Sequence, residues 1–352
     1  MSKARTALCA IALALAASVE STPAVAKCTL ARAADWPVSV DRGHILVEGS
    51  INGQKVGVML DTGGITLILR DASDRLGLVR KEAPSYRSFG IGGETHVEAA
   101  NVDEFRLGAM TRKNWRVMVA GERSFGETTD VILGEDFLEQ LDVEFDLPHG
   151  AVRLYQVSDC AGAELAYWAP TTASRVDFAP SYNSGGSIAL PVQLNGRPLQ
   201  AILDSGAPSS ILDKPVAEQL GIKPDSPGVA PAGRVGGLGG KWVDVWIGPL
   251  QSFSIGDETI SDTTIRFADL FRDATYTPAG SHLARKLEFT PALMLGADFL
   301  RAHRVLVSHS QRRMYFTYEG GPVFQPKPAA AQAEGAGARP PDRTGKGDAK
   351  DR

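Results

Sequence analysis

Apolar and polar residues alternate with a period of two over short runs through most of the chain, and turn-forming residues interrupt the runs every few positions. This pattern predicts a mainly β protein. Two runs frame Asn52-Gly53 and two more frame Asn195-Gly196. Asn-Gly between apolar runs predicts a tight hairpin, because a type I′ turn needs positive φ at both central residues. In each case the second predicted strand ends on an aspartate, Asp61 or Asp204, with Pro198 early in its strand as expected of a strand start or sheet edge. After each aspartate the spacing predicts one short helix, over residues 71–78 and 213–222. Each would open on an Asp that caps free N–H groups and close on a Gly, with Pro215 placed harmlessly in the first turn.

These elements are two copies of one plan. Residues 51–60 align without a gap on 194–203, and Leu60-Asp61-Thr62-Gly63-Gly64-Ile65-Thr66-Leu67-Ile68 aligns on Leu203-Asp204-Ser205-Gly206-Ala207-Pro208-Ser209-Ser210-Ile211. Phe105-Arg106-Leu107-Gly108 answers to Phe253-Ser254-Ile255-Gly256, and Leu133-Gly134-Glu135-Asp136-Phe137-Leu138 to Leu295-Gly296-Ala297-Asp298-Phe299-Leu300. Gly134 lies 73 positions after Asp61, whereas Gly296 lies 92 after Asp204, which places an insertion in the second copy, around residues 271–291. A repeat this long predicts two lobes, not a solenoid. The expected boundaries are 38–157 for lobe 1, 158–186 for an interlobe linker and 187–320 for lobe 2, with 27–37 as an N-terminal segment and 321–352 as a disordered tail. In that tail Pro, Ala, Gly and charged residues replace the apolar pattern.

At the two Asp-Thr/Ser-Gly motifs and the later Ile132-Leu133-Gly134 and Met294-Leu295-Gly296, the chain resembles the aspartic peptidases, as two retropepsin-like domains in tandem. The resemblance covers residues 38–320. It implies a bilobal acid-protease fold, two similar β-barrel-like lobes with a short helix each and an active-site cleft between them. It also implies peptide hydrolysis by an Asp61/Asp204 dyad, without metal or cofactor, in a chain active as a monomer. Gly64 departs from the usual Ala or Ser, and Leu67 stands where a hydroxyl residue is common and where the second copy has Ser210.

The chemistry follows from electrostatics. Two carboxyl groups about 3 Å apart cannot both ionise, so the pair holds one proton, as in the aspartic-protease dyad that is the standard example. The ionised member can accept a proton from water while the protonated one polarises the scissile carbonyl. Gly63 and Gly206 let the two backbones approach closely. Thr62 and Ser205 supply hydroxyls that, by the resemblance, bond across to the opposite loop. Read singly, either aspartate could be an ordinary turn residue after a strand. Their recurrence in equivalent frames favours the paired site. Gly-rich stretches containing Gly90, Gly92, Gly93 and Gly236, Gly237, Gly239 are expected to form flaps over extended substrate, with Tyr86, Phe89 and Trp242 as aromatic contacts near them. An ordinary mobile hairpin loop is the plainer reading.

The six histidines are dispersed and pair with no Cys or Glu at zinc spacing, so most are expected at the surface or in loops. Asp136 and Asp298 are expected to cap helices beginning at Phe137 and Phe299. The formal charge of −4 excludes no protein partner but argues against nucleic acid. A basic start, an apolar run over 7–17 and Ala24-Val25-Ala26 predict a signal peptide over 1–26, export across the inner membrane to the periplasm, and no membrane anchor in the mature chain. Cys28 and Cys160 then remain as an even pair in an oxidising compartment and are predicted to bond; free thiols or an intermolecular bridge are the alternatives. The expected partner is a peptide or protein substrate, and the expected function a secreted aspartic endopeptidase. The competing function is a catalytically silent peptide-binding or scaffold protein of the same fold.

Overall fold

The computed structural model describes residues 28–180, 187–271, 275–276, 285–286 and 290–324. The predicted signal peptide therefore lies outside the described residues. So do the tail beyond residue 324 and most of the expected insertion at 271–291. Between residues 271 and 290, only a short antiparallel ribbon, Thr275–Tyr276 with Arg285–Lys286, is described.

Each lobe is an eight-stranded sheet that closes partly on itself. In lobe 1 the hairpin His44–Ile51 and Gln54–Asp61 turns at Asn52 and Gly53, with φ of 50° and 78°; lobe 2 repeats it at Asn195 and Gly196, with 49° and 75°. The I′ turn read from the sequence is thus the one formed. Gln54–Asp61 then lies parallel to Val131–Gly134, whose other neighbour is Leu67–Leu69. Leu67–Leu69 continues the sheet by pairing in parallel with Met110–Ala120. Lobe 2 repeats this with Arg197–Leu203, Leu293–Leu295, Ile211–Asp213 and Glu258–Ala268. Pro198 sits at the start of its strand, paired only on the hairpin side.

The registers place four residues of each lobe in one row across its sheet. In lobe 1 the row runs Met59, Ile132, Leu67, Met118; in lobe 2 it runs Ile202, Met294, Ile211, Arg266.

Each lobe carries two short helices: α1 (Arg70–Arg75) and α2 (Glu135–Leu138) in lobe 1, α3 (Lys214–Gln219) and α4 (Ala297–Ala302) in lobe 2. Asp71 does not open α1: the chain is already helical at Arg70, and the cap position is Leu69. Asp213 does occupy the cap position of α3, but its side chain makes no capping bond.

A third sheet joins the halves. Its six strands run in the order Thr29–Pro37, Ala151–Ser158, Asp142–Asp146, His303–Ser308, Arg313–Tyr318, Ser174–Asp177. The seam pairs Val143, Glu144 and Phe145 of lobe 1 with Val307, Leu306 and Val305 of lobe 2. The N-terminal segment forms one edge and inserts Trp36, which is 2% exposed, into the core. The linker forms the other edge and buries Leu165 and Ala166 completely. The disulfide Cys28–Cys160 fastens the N-terminal strand to the start of the linker. Residues 321–324 belong to lobe 2, not to a tail, because Phe324 packs edge-on against Phe253 and is 4% exposed.

Candidate active site

Asp61 ends the strand Gln54–Asp61, and Asp204 directly follows Arg197–Leu203. Strand pairing on both sides fixes where each backbone stops, and the loops that follow meet across the lobe boundary. There Thr62 Oγ1 donates to Leu203 O (2.8 Å) and accepts from Ser205 N (3.0 Å). Ser205 Oγ donates to Leu60 O (2.9 Å) and accepts from Thr62 N (3.0 Å). All four bonds are buried, and each joins one half of the chain to the other. Charges and hydroxyls placed this way lose water and must be satisfied internally. The two loops therefore hold each other in one geometry.

The clamp brings the two carboxyl groups into hydrogen-bond contact at the floor of the cleft. A Cβ at Gly63 would lie 2.5 Å from the Asp204 carboxyl carbon, and one at Gly206 would lie 2.4 Å from that of Asp61. No other residue fits either position. Gly63 N donates to Asp61 Oδ1 (2.9 Å) and Ala207 N to Asp204 Oδ1 (3.0 Å). Burial, then the neighbouring Asp204 charge, raise the Asp61 pKa well above the usual carboxylate range. Burial also raises Asp204, but the hydrogen bond from Asp61 and those from backbone N–H groups oppose it. Burial raises both members, so the pair holds one proton between them.

Behind each loop lies a second clamp that the sequence reading assigned to helix capping. Asp136 Oδ1 accepts from Thr66 N (2.7 Å) and Thr66 Oγ1 (2.8 Å), and Gly134 N donates to Thr66 Oγ1 (3.0 Å). In lobe 2, Asp298 accepts from Ser210 N (2.9 Å) and Oγ (2.6 Å), and Gly296 N donates to Ser210 Oγ (2.9 Å). Asp298 Oδ1 also accepts from Phe299 N (2.9 Å), but α2 and α4 begin at Glu135 and Ala297, with glycines at their cap positions. The equivalence of Thr66 and Ser210 corrects the ungapped alignment. The second loop is one residue longer, so the hydroxyl sought at Leu67 is supplied by Thr66, and Leu67 pairs with the buried Ile211.

Two histidines, His44 and His303, depart from the surface or loop expectation, and His309, in a turn as expected, is largely buried. His44 lines the cleft, with Nδ1 3.0 Å from Gly206 O, and burial lowers its pKa. His303 is fully buried, stacked on Phe299 at 4.0 Å and bonded to Glu258. His309 reaches from lobe 2 to within 3.5 Å of Glu135. Glu135 is 1% exposed behind the Asp61 loop, and neither of its carboxyl oxygens has a hydrogen-bond partner among the described residues. Burial raises Glu135 to about 9 and lowers His309 to about 4. At 3.5 Å the two groups are too far apart for a strong hydrogen bond, so near neutrality they form an uncharged contact, not an ion pair. The sequence signal for Glu135 was its opposite number Ala297, the one unmatched position in the Leu-Gly-x-Asp-Phe-Leu motif.

The cleft has a volume of about 540 Å³, and both aspartates line it. A second cavity of about 430 Å³ in lobe 1, near Trp115 and Phe137, contains neither. The glycine-rich stretches roof the cleft. Gly239 N donates to Ile91 O (3.2 Å) and Lys241 N to Gly92 O (3.1 Å), so the two tips meet. Gly90, Gly236 and Gly237 face the cleft, whereas Gly93 borders a smaller recess outside it. At Gly92 a Cβ would come within 2.4 Å of Lys241 O, so the tips approach this closely only because that side chain is missing. Arg123 of lobe 1 donates Nε to Gly239 O (3.2 Å), bonds Gly240 O and stacks at 4.1 Å over the exposed Trp242. The side chains of Tyr86 and Phe89 lie outside the described residues. No group of three or more His, Cys, Asp or Glu able to hold a metal occurs among the described residues.

No individual curated protein sequence matches the chain. Among solved structures, the crystal structure of basic 7S globulin from soybean is similar at a TM-score of 0.41 and 11% identity, covering 82% of this chain and 95% of that one. Residues 47–137 and 190–299 each match the Aspartyl protease family, once per lobe and across both Asp-Thr/Ser-Gly loops. With the repeat, the two-lobed fold and the meeting of the two carboxyl groups all in one chain, the protein belongs to the aspartyl protease family.

Proposed function

We propose that the protein is an aspartic endopeptidase in which Asp61 and Asp204 together activate water. The observation that carries this reading is the hydrogen-bonded pair of carboxyl groups, one from each lobe, at the floor of a roofed cleft. In this reading Asp204 is the ionised member and takes a proton from the attacking water, whose oxygen bonds to the scissile carbonyl carbon. Asp61 gives its proton to the carbonyl oxygen, forming a neutral tetrahedral diol. Asp204 then passes its proton to the amide nitrogen as the C–N bond breaks. Asp61 recovers a proton from a diol hydroxyl as the carboxylic acid forms, and the pair is again singly protonated. The flaps would pair their backbone with an extended peptide and exclude bulk water.

Incubating the mature protein with a diverse peptide mixture between pH 3 and 8 tests the proposal. Asp61→Asn and Asp204→Asn should each lower the cleavage rate by at least about a thousandfold, the scale of acid–base contributions. No cleavage by wild type, or equal cleavage by the variants, overturns it. Activity should fall at low pH, as the second carboxyl takes up a proton, and at high pH, as Asp61 loses its own. Because Asp61 is raised well above the ordinary carboxylate range, the alkaline limb should lie closer to neutrality than an unperturbed carboxyl would put it.

Gly64 and Leu67, the two departures from the family pattern, are what would favour the silent-scaffold alternative, and the Thr66–Asp136 clamp removes the second of these. Export to an oxidising compartment is part of the proposal. It is supported by the Cys28–Cys160 bond, and no helix among the described residues is long and apolar enough to cross a membrane.

A further inference from the structure

We infer that the lobe-2 wall of the cleft recognises a carboxylate on the substrate through Arg266, assisted by Arg234; the inference rests on the peptidase reading above. The argument begins with the rows of registered residues. The first three members of each row are apolar in both lobes, and the fourth is Met118 in lobe 1 but Arg266 in lobe 2. All four lobe-2 members line the cleft, whereas only Met59 and Ile132 of the lobe-1 row do. The cleft therefore takes in the whole lobe-2 row, whose last member is a cation.

That cation is poorly satisfied. Arg266 is half-buried, and Nη1 makes one long contact to Ala232 O (3.3 Å). A guanidinium carries five donors in a fork that matches a carboxylate. No ion pair to Arg266 or Arg234 occurs among the described residues, although Arg234 stands opposite Asp244 in the flap hairpin. Among the described residues of the cleft wall the only acids are Asp61 and Asp204, which hold each other. Partly desolvated positive charge at the end of the apolar row Ile202, Met294, Ile211 favours a negative group brought by the ligand. That group can be a Glu or Asp side chain or the carboxylate at a peptide's C-terminus.

Matched peptides test this. One series replaces Gln by Glu at each of four positions either side of a cleaved bond, and a second compares C-terminal acid with amide. Wild type should prefer the acidic member about tenfold in kcat/KM at one position or at the terminus, the scale of one charge-assisted hydrogen bond. The location of the preference identifies which carboxylate is read. In Arg266→Gln the preference should fall to within about twofold, Arg266→Lys should keep part of it, and Arg234→Gln should reduce it less. Equal cleavage of acidic and neutral peptides at every position, or a preference untouched in Arg266→Gln, overturns the inference and leaves the peptidase reading intact. If no peptide is cleaved, the peptidase reading fails, and binding of the same labelled pairs to wild type and Arg266→Gln decides this one. Equal affinities would then overturn it.

Discussion

Glu135 is a carboxylic acid that the fold keeps neutral, and this has a measurable cost. Its folded pKa, about 9, exceeds the ordinary 4.5, so between these values the folded state holds a proton that the unfolded chain has released. Stability therefore falls with rising pH across that window. His309 acts oppositely: its folded pKa, about 4, lies below the ordinary 6.5, so its contribution to stability rises with pH between them. The two slopes oppose each other up to pH 6.5, and above it Glu135 acts without His309, beside the raised Asp61. Denaturant unfolding of wild type should show stability dropping between pH 6.5 and 8.5 by up to about 1.4 kcal/mol per pH unit for this one proton. Glu135→Gln should flatten that limb; an unchanged slope would show that the carboxyl does not keep its proton. The same scale shows what could be read without coordinates. Asp61, Asp204 and their hydroxyl neighbours stood out because motif and repeat coincided. Thr66 did not, because a one-residue difference in loop length shifts the frame, and only strand pairing shows where each loop rejoins the sheet.

Among the elements, hairpins were legible and roofs less so. Asn-Gly turns announce themselves through the φ values they require, and both formed where expected. The flap glycines indicated a lid, but nothing local in the sequence says that two tips 150 positions apart touch, or that Arg123 ties them down. Short helices were misread at their starts because the caps are Leu69, Gly134 and Gly296, and tertiary contacts replace side-chain caps. The latch makes a prediction at this scale. Arg123→Ala removes two bonds to the lobe-2 flap and the stacking on Trp242, together worth about 1–3 kcal/mol. It should raise KM several-fold more than it lowers kcat, and hydrogen exchange at residues 236–242 should accelerate. Unchanged exchange there would mean the flap is held by other contacts.

At the scale of the molecule, the duplication predicted two lobes but not the sheet that joins them, since the strands closing each lobe look self-sufficient in sequence. The seam is held by polar groups as well as backbone. Glu144 of lobe 1 is fully buried and accepts from Arg153 (2.6 Å), Arg304 of lobe 2 (2.8 Å), Tyr155 (3.0 Å) and Tyr167 (2.8 Å). Removing the acid alone would leave Arg153 and Arg304 with Asp146 as their buried carboxylate neighbour, so Glu144→Ala should cost about 3 kcal/mol in denaturant unfolding, the low end for breaking a buried ion pair. A loss below about 1 kcal/mol would mean that solvent reaches the network easily.

That seam has a consequence for how the cleft can read a peptide. Two identical subunits meeting on a twofold axis must present identical walls, and a chain bound between them could lie either way round. Here both walls are encoded once each and locked in a single covalent unit, so each has been free to change alone: Glu135 backs one aspartate and Ala297 the other, while Met118 and Arg266 hold corresponding places. The cleft has thereby acquired a head and a tail, and the peptide that the proposed function places in it is expected to fit in one direction.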